Sequence, residues 1–185
     1  TTLFRSMYEK KGVDEYYWFG TDSLGRDIFT RLWKGTQISL YIALLAAVID
    51  MVIGVSYGAI SGYFGGRLDN VMQRITEVLT GIPNLIVVVL MILVLEPGIL
   101  SITIALSIPG WVSMARVVRA QVLKLKEQEY VLAARTLGSS HAKIIFKHLV
   151  PNLAGVIIIN TMFTIPSAIF FEAFLSFIGL GLQAP

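Results

Sequence analysis

Long segments without a charged residue are the feature that most constrains how this chain can fold. Residues 78–95, 97–115 and 149–171 contain no Asp, Glu, Lys or Arg, and residues 35–64 contain only Asp50. A membrane-spanning helix needs roughly 17–25 predominantly apolar residues. The sequence therefore predicts an all-α membrane protein with four candidate spans. It excludes a disordered chain, a coiled coil and an ordinary soluble core.

The composition agrees with a protein embedded in lipid. Of the 185 residues, 55% are hydrophobic and 15% are charged, whereas a soluble domain carries about 25% charged residues. The absence of cysteine from the sequence excludes disulfide frameworks, cysteine-ligated zinc and thiol catalysis. The net charge of +3 is small, its basic excess lies in one loop, and the sequence shows no basic stripe interleaved with aromatic residues. We therefore expect the lipid bilayer, and not nucleic acid, as a partner.

The positions of turns and charges divide the chain into spans and loops. The four spans are predicted at about residues 38–63, 74–95, 98–118 and 152–171. Residues 1–36 are mixed in character and are predicted to be a structured extramembrane segment, followed by a membrane domain over 37–185. Nine Lys and Arg lie on the side of the membrane that holds the loop 119–150, and six lie in the N-terminal segment. Because cytoplasmic loops carry the excess of basic residues, the loop 119–150 is predicted to be cytoplasmic and the N-terminal segment extracytoplasmic.

Small residues follow one face of the first predicted span. Gly54, Gly58 and Gly62 repeat at four-residue spacing, and such a row lets two helix backbones approach closely. These glycines are therefore predicted to form a helix-packing face. Asp50 extends the same row, so its side chain is expected to point into protein and not into lipid. An intramembrane carboxylate is a functional-site candidate, and a structural hydrogen bond to a neighbouring helix is the competing interpretation.

Helix-breaking residues occur in three of the four predicted spans. Pro83, Pro109 and Pro166 each lie well inside an apolar segment. Such breaks are tolerated where neighbouring helices or water satisfy the freed backbone groups, so they are typical of a bundle interior. Three broken helices favour a polyhelical transporter over a simple membrane anchor or a scaffold.

The last predicted span carries a polar stripe. Asn160, Thr164 and Ser167 fall at i, i+4 and i+7 in an otherwise apolar segment. We predict that they line an aqueous pathway; interhelical hydrogen bonding is the alternative. Glu172 is expected to mark the outer membrane boundary of this span.

The predicted cytoplasmic loop has the composition of a helical hairpin. Residues 127–137 are rich in strong helix formers, and Tyr130, Ala134 and Leu137 share one helical face. Gly138 lies where the helix would end, and the two serines after it can cap a second helix. A surface helix resting on lipid headgroups is the alternative interpretation of this pattern.

Motifs for chemistry are absent from the sequence. It contains neither G-x-x-x-x-G-K-[ST], which would cradle a nucleotide phosphate, nor the G-x-S-x-G of a hydrolase nucleophile. His141 and His148 have no acid nearby in sequence and are expected to be surface residues and not metal ligands. We expect no catalytic residue, no metal site and no bound cofactor in this chain, so the energy for transport must come from outside it.

Three separated motifs resemble a known family. Ala133 and Ala134, with Gly138 and the Leu-Val-Pro at 149–151, resemble the EAA loop in the membrane subunits of bacterial ABC importers. The FGTDSLGRD at 19–27 and the FEAFLSFIGLG at 171–181 resemble the C-type permease subunits of dipeptide and oligopeptide importers. The resemblance runs from about residue 17 to the end. The chain departs from the family at Leu132, where an acid is usual, and at Val150, where leucine is usual.

The resemblance implies a fold and a location. The fold is the type I permease bundle of an ABC importer in the bacterial inner membrane. Family members usually have six spans, so one further span is expected before residue 1 and another after residue 185. The small-residue pair at 133 and 134 would let the loop dock into a groove of an ATP-hydrolysing subunit. The implied coupling residues are Glu129, Tyr130, Leu132, Ala133, Ala134, Arg135, Leu137 and Gly138.

The resemblance also implies partners and cargo. The expected partners are a second homologous permease, ABC ATPase subunits that bind ATP and Mg, and an extracytoplasmic solute-binding protein. Dipeptides, oligopeptides, glutathione-like compounds and nickel chelates all remain possible cargo. A secondary transporter driven by an ion gradient, with Asp50 as its proton or cation site, is the alternative function.

Overall fold

The computed structural model describes residues 17–95 and 98–181, and within them every regular element is a helix. This confirms the predicted all-α class. The elements are α1 (Ile28–Phe64), α2 (Gly66–Gly81), α3 (Asn84–Leu95), α4 (Ile99–Leu125), α5 (Glu129–Thr136), α6 (His141–Lys143), a π-helical segment (Ile144–Leu149), α7 (Val150–Asn152) and α8 (Ala154–Phe177).

Three helices among the described residues are long and apolar enough to cross a membrane. They are α1, with 37 residues, α4, with 27, and α8, with 24. Helices α2 and α3 together qualify as a fourth span, bent by 79° between them. The predicted spans 38–63, 98–118 and 152–171 fall on α1, α4 and α8, while α1 begins well before its predicted span and continues through position 36.

The bend between α2 and α3 is caused by Pro83. Ile82, the residue before it, has extended backbone angles, with φ −92° and ψ 124°, because the proline ring disfavours the helical conformation in its predecessor. The other two prolines do not act in this way. Pro109 and Pro166 lie inside α4 and α8, so the prediction that three spans are interrupted is wrong. A proline removes one hydrogen bond of a helix, and packed membrane helices tolerate that loss.

The described residues fall into two compact units, divided between Leu40 and Tyr41. In the first unit, a tight turn precedes α1. Asp22 accepts hydrogen bonds from the backbone N–H groups of Leu24 and Arg26, at 2.9 and 3.0 Å. The bond from the Arg26 backbone N–H is the largest influence that lowers the pKa of the Asp22 carboxyl below its ordinary value. Asp27 caps α1 by accepting from the N–H groups of Phe29 and Thr30, both at 3.1 Å.

The core of the second unit joins five elements. Its buried side chains come from α1, α4, α5, the π-helical segment and α8, and Val118, Val122, Val131, Ile144 and Leu149 are fully buried within it. The hairpin after α4 thus shares one apolar core with the membrane helices. The loop is part of the folded unit and not a separate appendage.

Helices α1 and α4 approach each other along the row of glycines. A Cβ atom at Gly54 would lie 2.6 Å from Cβ of Met114, and one at Gly62 would lie 2.9 Å from the carbonyl oxygen of Arg119. At Gly58 the added atom would collide with the carbonyl oxygen of Ala115. Because the contact at Gly58 is with backbone, no side-chain movement can relieve it. These three positions therefore require glycine for the packing that the structure shows.

A polar cluster next to the glycine row also links α1 and α4. The buried carboxylate of Asp69 on α2 accepts two hydrogen bonds of 2.6 Å from the guanidinium group of Arg119 on α4. The hydroxyl of Ser61 on α1 also donates to Asp69. The bidentate pair is the strong form of a charge-assisted hydrogen bond, and it ties three helices together at one point.

We expect Gly58→Leu to prevent α1 from packing on α4. Overpacking of a well-packed contact costs about 1–3 kcal/mol, and here the neighbour that would have to move is backbone. The yield and the thermal unfolding temperature of the purified membrane protein should both fall. Gly35→Leu is the matched control, since it makes the same change in the same helix with nothing within 4 Å of the added Cβ. Equal yields and unfolding temperatures for the two variants would contradict the packing role.

Candidate functional site

The hairpin that follows α4 is built by local signals in the sequence. Gly138 has φ +76°, and the N–H groups of Gly138 and Ser139 donate to the carbonyl oxygens of Arg135 and Ala134, both at 3.0 Å. This pair of bonds is the Schellman arrangement that ends a helix on a left-handed glycine. Ser140 then caps the next helical segment through the N–H of Lys143, at 3.4 Å. The predicted helical end and cap are therefore both present.

One face of α5 is buried in the chain's own core. The buried residues are Val131 and Ala134, which join the core cluster, whereas Tyr130 is 40% exposed and Leu137 is 85% exposed. The three residues predicted to share one helical face, Tyr130, Ala134 and Leu137, thus differ in burial, and only Ala134 packs into the core. The side chain of Ala134 packs in the core of this chain and is therefore not available to a partner.

The opposite face of α5 is exposed. Its exposed residues are Glu129, Tyr130, Leu132, Ala133, Arg135, Thr136 and Leu137, and the C-terminal Gly138 is exposed as well. Leu132 and Leu137 are apolar side chains with 44% and 85% of their surface accessible. An apolar face with an acid at one end and a base at the other is suited to binding a protein partner.

An aromatic contact fastens the hairpin to the end of α1. The hydroxyl oxygen of Tyr63 lies 2.8 Å from Nδ1 of His141, and the guanidinium carbon of Arg135 lies 5.4 Å from the centre of the Tyr63 ring. Tyr63 itself is 5% exposed. The sequence gives no sign of this contact, since 78 positions separate Tyr63 from His141. His141, predicted to be a surface residue, is exposed, and it also anchors the hairpin through this contact.

A cavity of about 300 Å³ lies among α1, α3, α4 and α8. The three residues of the predicted polar stripe, Asn160, Thr164 and Ser167, all line it, and Asp50 lines it from α1. The structure thus brings together two features that are more than 100 positions apart in the sequence. The walls are otherwise mainly apolar, with aromatic rings from Phe163 and Phe171.

The stripe residues make short-range hydrogen bonds within α8. Asn160 donates to the carbonyl oxygen of Val156 at 2.9 Å, and Ser167 donates to that of Phe163 at 2.8 Å. Thr164 does the same to Asn160 at 3.2 Å. Such bonds satisfy the hydroxyl donors of Thr164 and Ser167 and one of the two N–H donors of Asn160, and they leave each side-chain oxygen able to accept a hydrogen bond from cavity contents.

Asp50 is buried without the predicted hydrogen bond. Its surface is 5% exposed, and its Oδ1 has no hydrogen-bond partner. Its nearest neighbour across the helix pair is Gly110, where an added Cβ would lie 2.7 Å from Oδ1. Gly110 therefore makes room for the carboxylate, so the Pro109-Gly110 pair serves the cavity wall instead of breaking α4.

Glu172 does not lie where the sequence placed it. It lies inside α8 with 8% of its surface exposed, and it accepts a hydrogen bond from the hydroxyl of Ser176 at 3.1 Å. The charge therefore does not mark the end of the helix, which continues to Phe177. Two other lining residues, Asn84 and Ser113, are polar side chains that the sequence pattern did not single out.

The chain belongs to the family of inner membrane components of binding-protein-dependent transport systems, whose model matches residues 54–185. With its membrane-crossing helices, it is a multi-pass protein of the bacterial cytoplasmic membrane. The motifs quoted from the sequence thus identified the family correctly.

The similar proteins include named peptide transport permeases. The dipeptide transport system permease protein DppC of Bacillus subtilis is 55% identical over 169 residues, which are 91% of this chain and 53% of that protein. The oligopeptide transport system permease protein OppC of Bacillus subtilis is 54% identical over 91% of this chain and 55% of its own length. OppC of Escherichia coli is 43% identical over 100% of this chain and 61% of its own length. The chain therefore spans little more than half the length of these relatives.

A solved structure shows the same fold. The MetNI methionine ABC transporter, in inward-facing conformations, has a chain that superposes with a TM-score of 0.68 at 19% identity, covering 81% of this chain and 75% of that one. This similarity confirms the predicted ABC permease type of bundle.

We expect Tyr63→Leu to loosen the hairpin while α1 stays folded. The variant loses the hydroxyl contact with His141 and the ring beneath Arg135, each worth about 1 kcal/mol. Amide hydrogen exchange over residues 129–143 of the purified complex should become roughly tenfold faster. Tyr41→Leu, which alters a residue of α1 that is 56% exposed, is the control. If both variants exchange at the unsubstituted rate, the aromatic contact does not anchor the hairpin.

Proposed function

We propose that this chain is part of the membrane-spanning permease subunit of an ATP-binding-cassette importer, and that the exposed face of α5 binds a separate ATPase subunit. In this proposal the hairpin lies in the cytoplasm and the segment 1–36 lies outside. The cargo is a dipeptide, an oligopeptide or a similar solute, as the names of the relatives indicate. A second related permease and an extracytoplasmic solute-binding protein complete the transporter, and the ATPase binds ATP and Mg.

The proposal rests on one observation: one face of α5 is buried in the core of the chain and the other is exposed. Its inner face, Val131 and Ala134, belongs to the same core as residues of α1, α4 and α8, while its outer face is exposed. A movement imposed on the outer face would therefore be passed directly to three membrane helices. Because close-packed interiors transmit displacement instead of absorbing it, this hairpin can act as a mechanical link.

The cavity fits the transport role of the same chain. It is lined by α1, α4 and α8 and by α3, which follows the bend at Pro83. Rocking of α3 and α8 against the closely packed α1–α4 pair would change access to the cavity. Binding selectivity would reside mainly in the external receptor, so a few polar groups suffice here.

The alternative, a secondary transporter that uses Asp50 as an ion site, has less support. Family membership and the named relatives all point to ATP-driven systems. A gradient-driven transporter would work in vesicles without ATP and would not copurify with an ATPase.

We expect Gly138→Val to separate ATP hydrolysis from transport. A Cβ atom at Gly138 would meet nothing within 4 Å, but φ is +76°, so the cost is backbone strain on the order of 1 kcal/mol or more. The end of α5 should shift while the membrane helices stay in place. ATPase activity and uptake of a labelled peptide, measured together in reconstituted vesicles, should lose their coupling, or the ATPase should dissociate.

The control for this change is Gly155→Val. Gly155 also has nothing within 4 Å of an added Cβ, and its φ is not positive. It should keep coupled activity. Wild-type hydrolysis and uptake in the Gly138 variant would show that the hairpin is not the coupling element.

Neighbouring alanines provide a sharper test of the docking face. Ala133→Trp places a large side chain on the exposed face of α5, and Ala134→Trp places the same side chain in the core. We expect the first to release the ATPase from a permease that unfolds at the normal temperature. The second should lower the unfolding temperature itself, since overpacking costs about 1–3 kcal/mol. Copurification and thermal unfolding measure the two effects, and ATPase retention by the Ala133 variant would place the docking face elsewhere.

A further inference from the structure

Two buried carboxylates on neighbouring helices have opposite surroundings. Asp69 accepts hydrogen bonds from Arg119 and Ser61, so its charge is neutralised within the chain. Asp50 has an oxygen without any partner, and it faces the cavity. Among the described residues that line this cavity there is no Lys, Arg or His. The walls of the cavity therefore place no positive charge opposite the carboxyl group of Asp50.

An ionised carboxylate that is buried without a partner destabilises a fold, so it is neutralised either by a proton or by a cation. The space in front of Asp50 is about 300 Å³, which lies at the lower end of the range for pockets that hold small organic ligands. Polar side chains of Asn84, Ser113 and Asn160 face the same space. Carboxylate, hydroxyl and amide oxygens are all acceptors, so the cavity presents several acceptors to a cationic guest.

The chemical composition of the cavity lining favours an organic cation over an inorganic one. Inorganic cations such as Mg²⁺ and Ca²⁺ take six or more oxygen ligands, with carboxylates prominent among them, and this cavity has a single carboxylate. A primary ammonium group has three donors, which matches one carboxylate with two neutral acceptors. The aromatic and aliphatic side chains of Val88, Leu106, Phe163 and Phe171 would contact the apolar remainder of such a guest.

We propose that Asp50 and the polar residues around it form a subsite for a primary ammonium group of the cargo, such as the free amino terminus of a peptide, during its passage. The inference rests on the proposed function, because it assumes that peptides enter the cavity. The carboxylate receives the cation as the cargo passes, and the neutral acceptors leave the interaction weak enough for release. Gly110 has a part in the subsite, since any side chain there would displace the carboxylate.

The absence of cysteine from this sequence allows a direct test of cavity occupancy. Ser113→Cys places a thiol in the cavity wall, and its alkylation by N-ethylmaleimide can be followed by mass spectrometry of the peptide that contains residue 113. The whole transporter is purified without ATP and without the external binding protein, so that only the cavity selects the guest. The probes are trialanine, N-acetyl-trialanine, methylammonium chloride and sodium chloride, at constant ionic strength.

We expect trialanine to slow the alkylation and N-acetyl-trialanine, which lacks the cation, to need a roughly tenfold higher concentration for the same effect. Methylammonium should protect the thiol better than sodium. Asp50→Asn should abolish both preferences. Glu77→Gln, the same carboxylate-to-amide change at an exposed residue paired with Arg74 outside the cavity, should keep them. Thermal unfolding of each variant verifies that it is folded.

Several results would overturn the proposal. Equal protection by the two peptides, no protection by any probe, or a preference that persists in Asp50→Asn would each reject the ammonium subsite. Protection by sodium equal to that by methylammonium would identify a site for inorganic cations instead. ATP-driven uptake of trialanine by the unsubstituted transporter in vesicles is measured separately. Its absence would reject the proposed function, whereas uptake without an amine preference in the cavity would reject only this inference.

Discussion

The close approach of α1 and α4 is the constraint on which the rest of the structure depends. Backbone meets backbone at Gly58, and the same contact line runs from the carboxylate of Asp50 to the cluster of Asp69 and Arg119. In a membrane no hydrophobic driving force pulls helices together, so close packing and polar contacts between helices must do so. The glycine row supplies the first of these, and the Asp69–Arg119 pair supplies the second. Both the cavity and the hairpin are arranged around this pair of helices.

The two functional regions lie at different levels along the pair. Near its middle, Asp50 and Gly110 form part of the cavity wall. Near its end, Tyr63 holds the hairpin through His141 and Arg135. One continuous apolar core connects α1 and α4 to the hairpin and α8. A displacement of α5 therefore has a physical route to the helices that bound the cavity, without a flexible linker between them.

The cavity contains a single carboxyl group among the neutral polar and apolar side chains of the described residues that line it. Its polar side chains on α8 each donate one hydrogen bond within their own helix and still present an oxygen that can accept another. Asp50 is the exception, because one of its oxygens has no partner. A single carboxylate among weak acceptors would attract the cationic cargo group that we propose and would not retain it as a closed binding site does. This arrangement agrees with a permease that receives its cargo already selected.

The sequence by itself determined the class of the protein, its apolar helices, the packing glycines and the turn at Gly138. These are encoded locally, by hydropathy over about 20 residues, by four-residue spacing and by the need for a left-handed backbone. Only the tertiary structure decided that Pro83 bends the chain while Pro109 and Pro166 do not, and that Val131 and Ala134, not Tyr130 and Leu137, face the core. The tertiary structure also decided that Asp50 lies beside the polar stripe on α8 and that Tyr63 contacts His141. Such contacts join residues about 80 to 120 positions apart, and they depend on which helix faces which neighbour, a choice made by packing and not by any pattern within one segment.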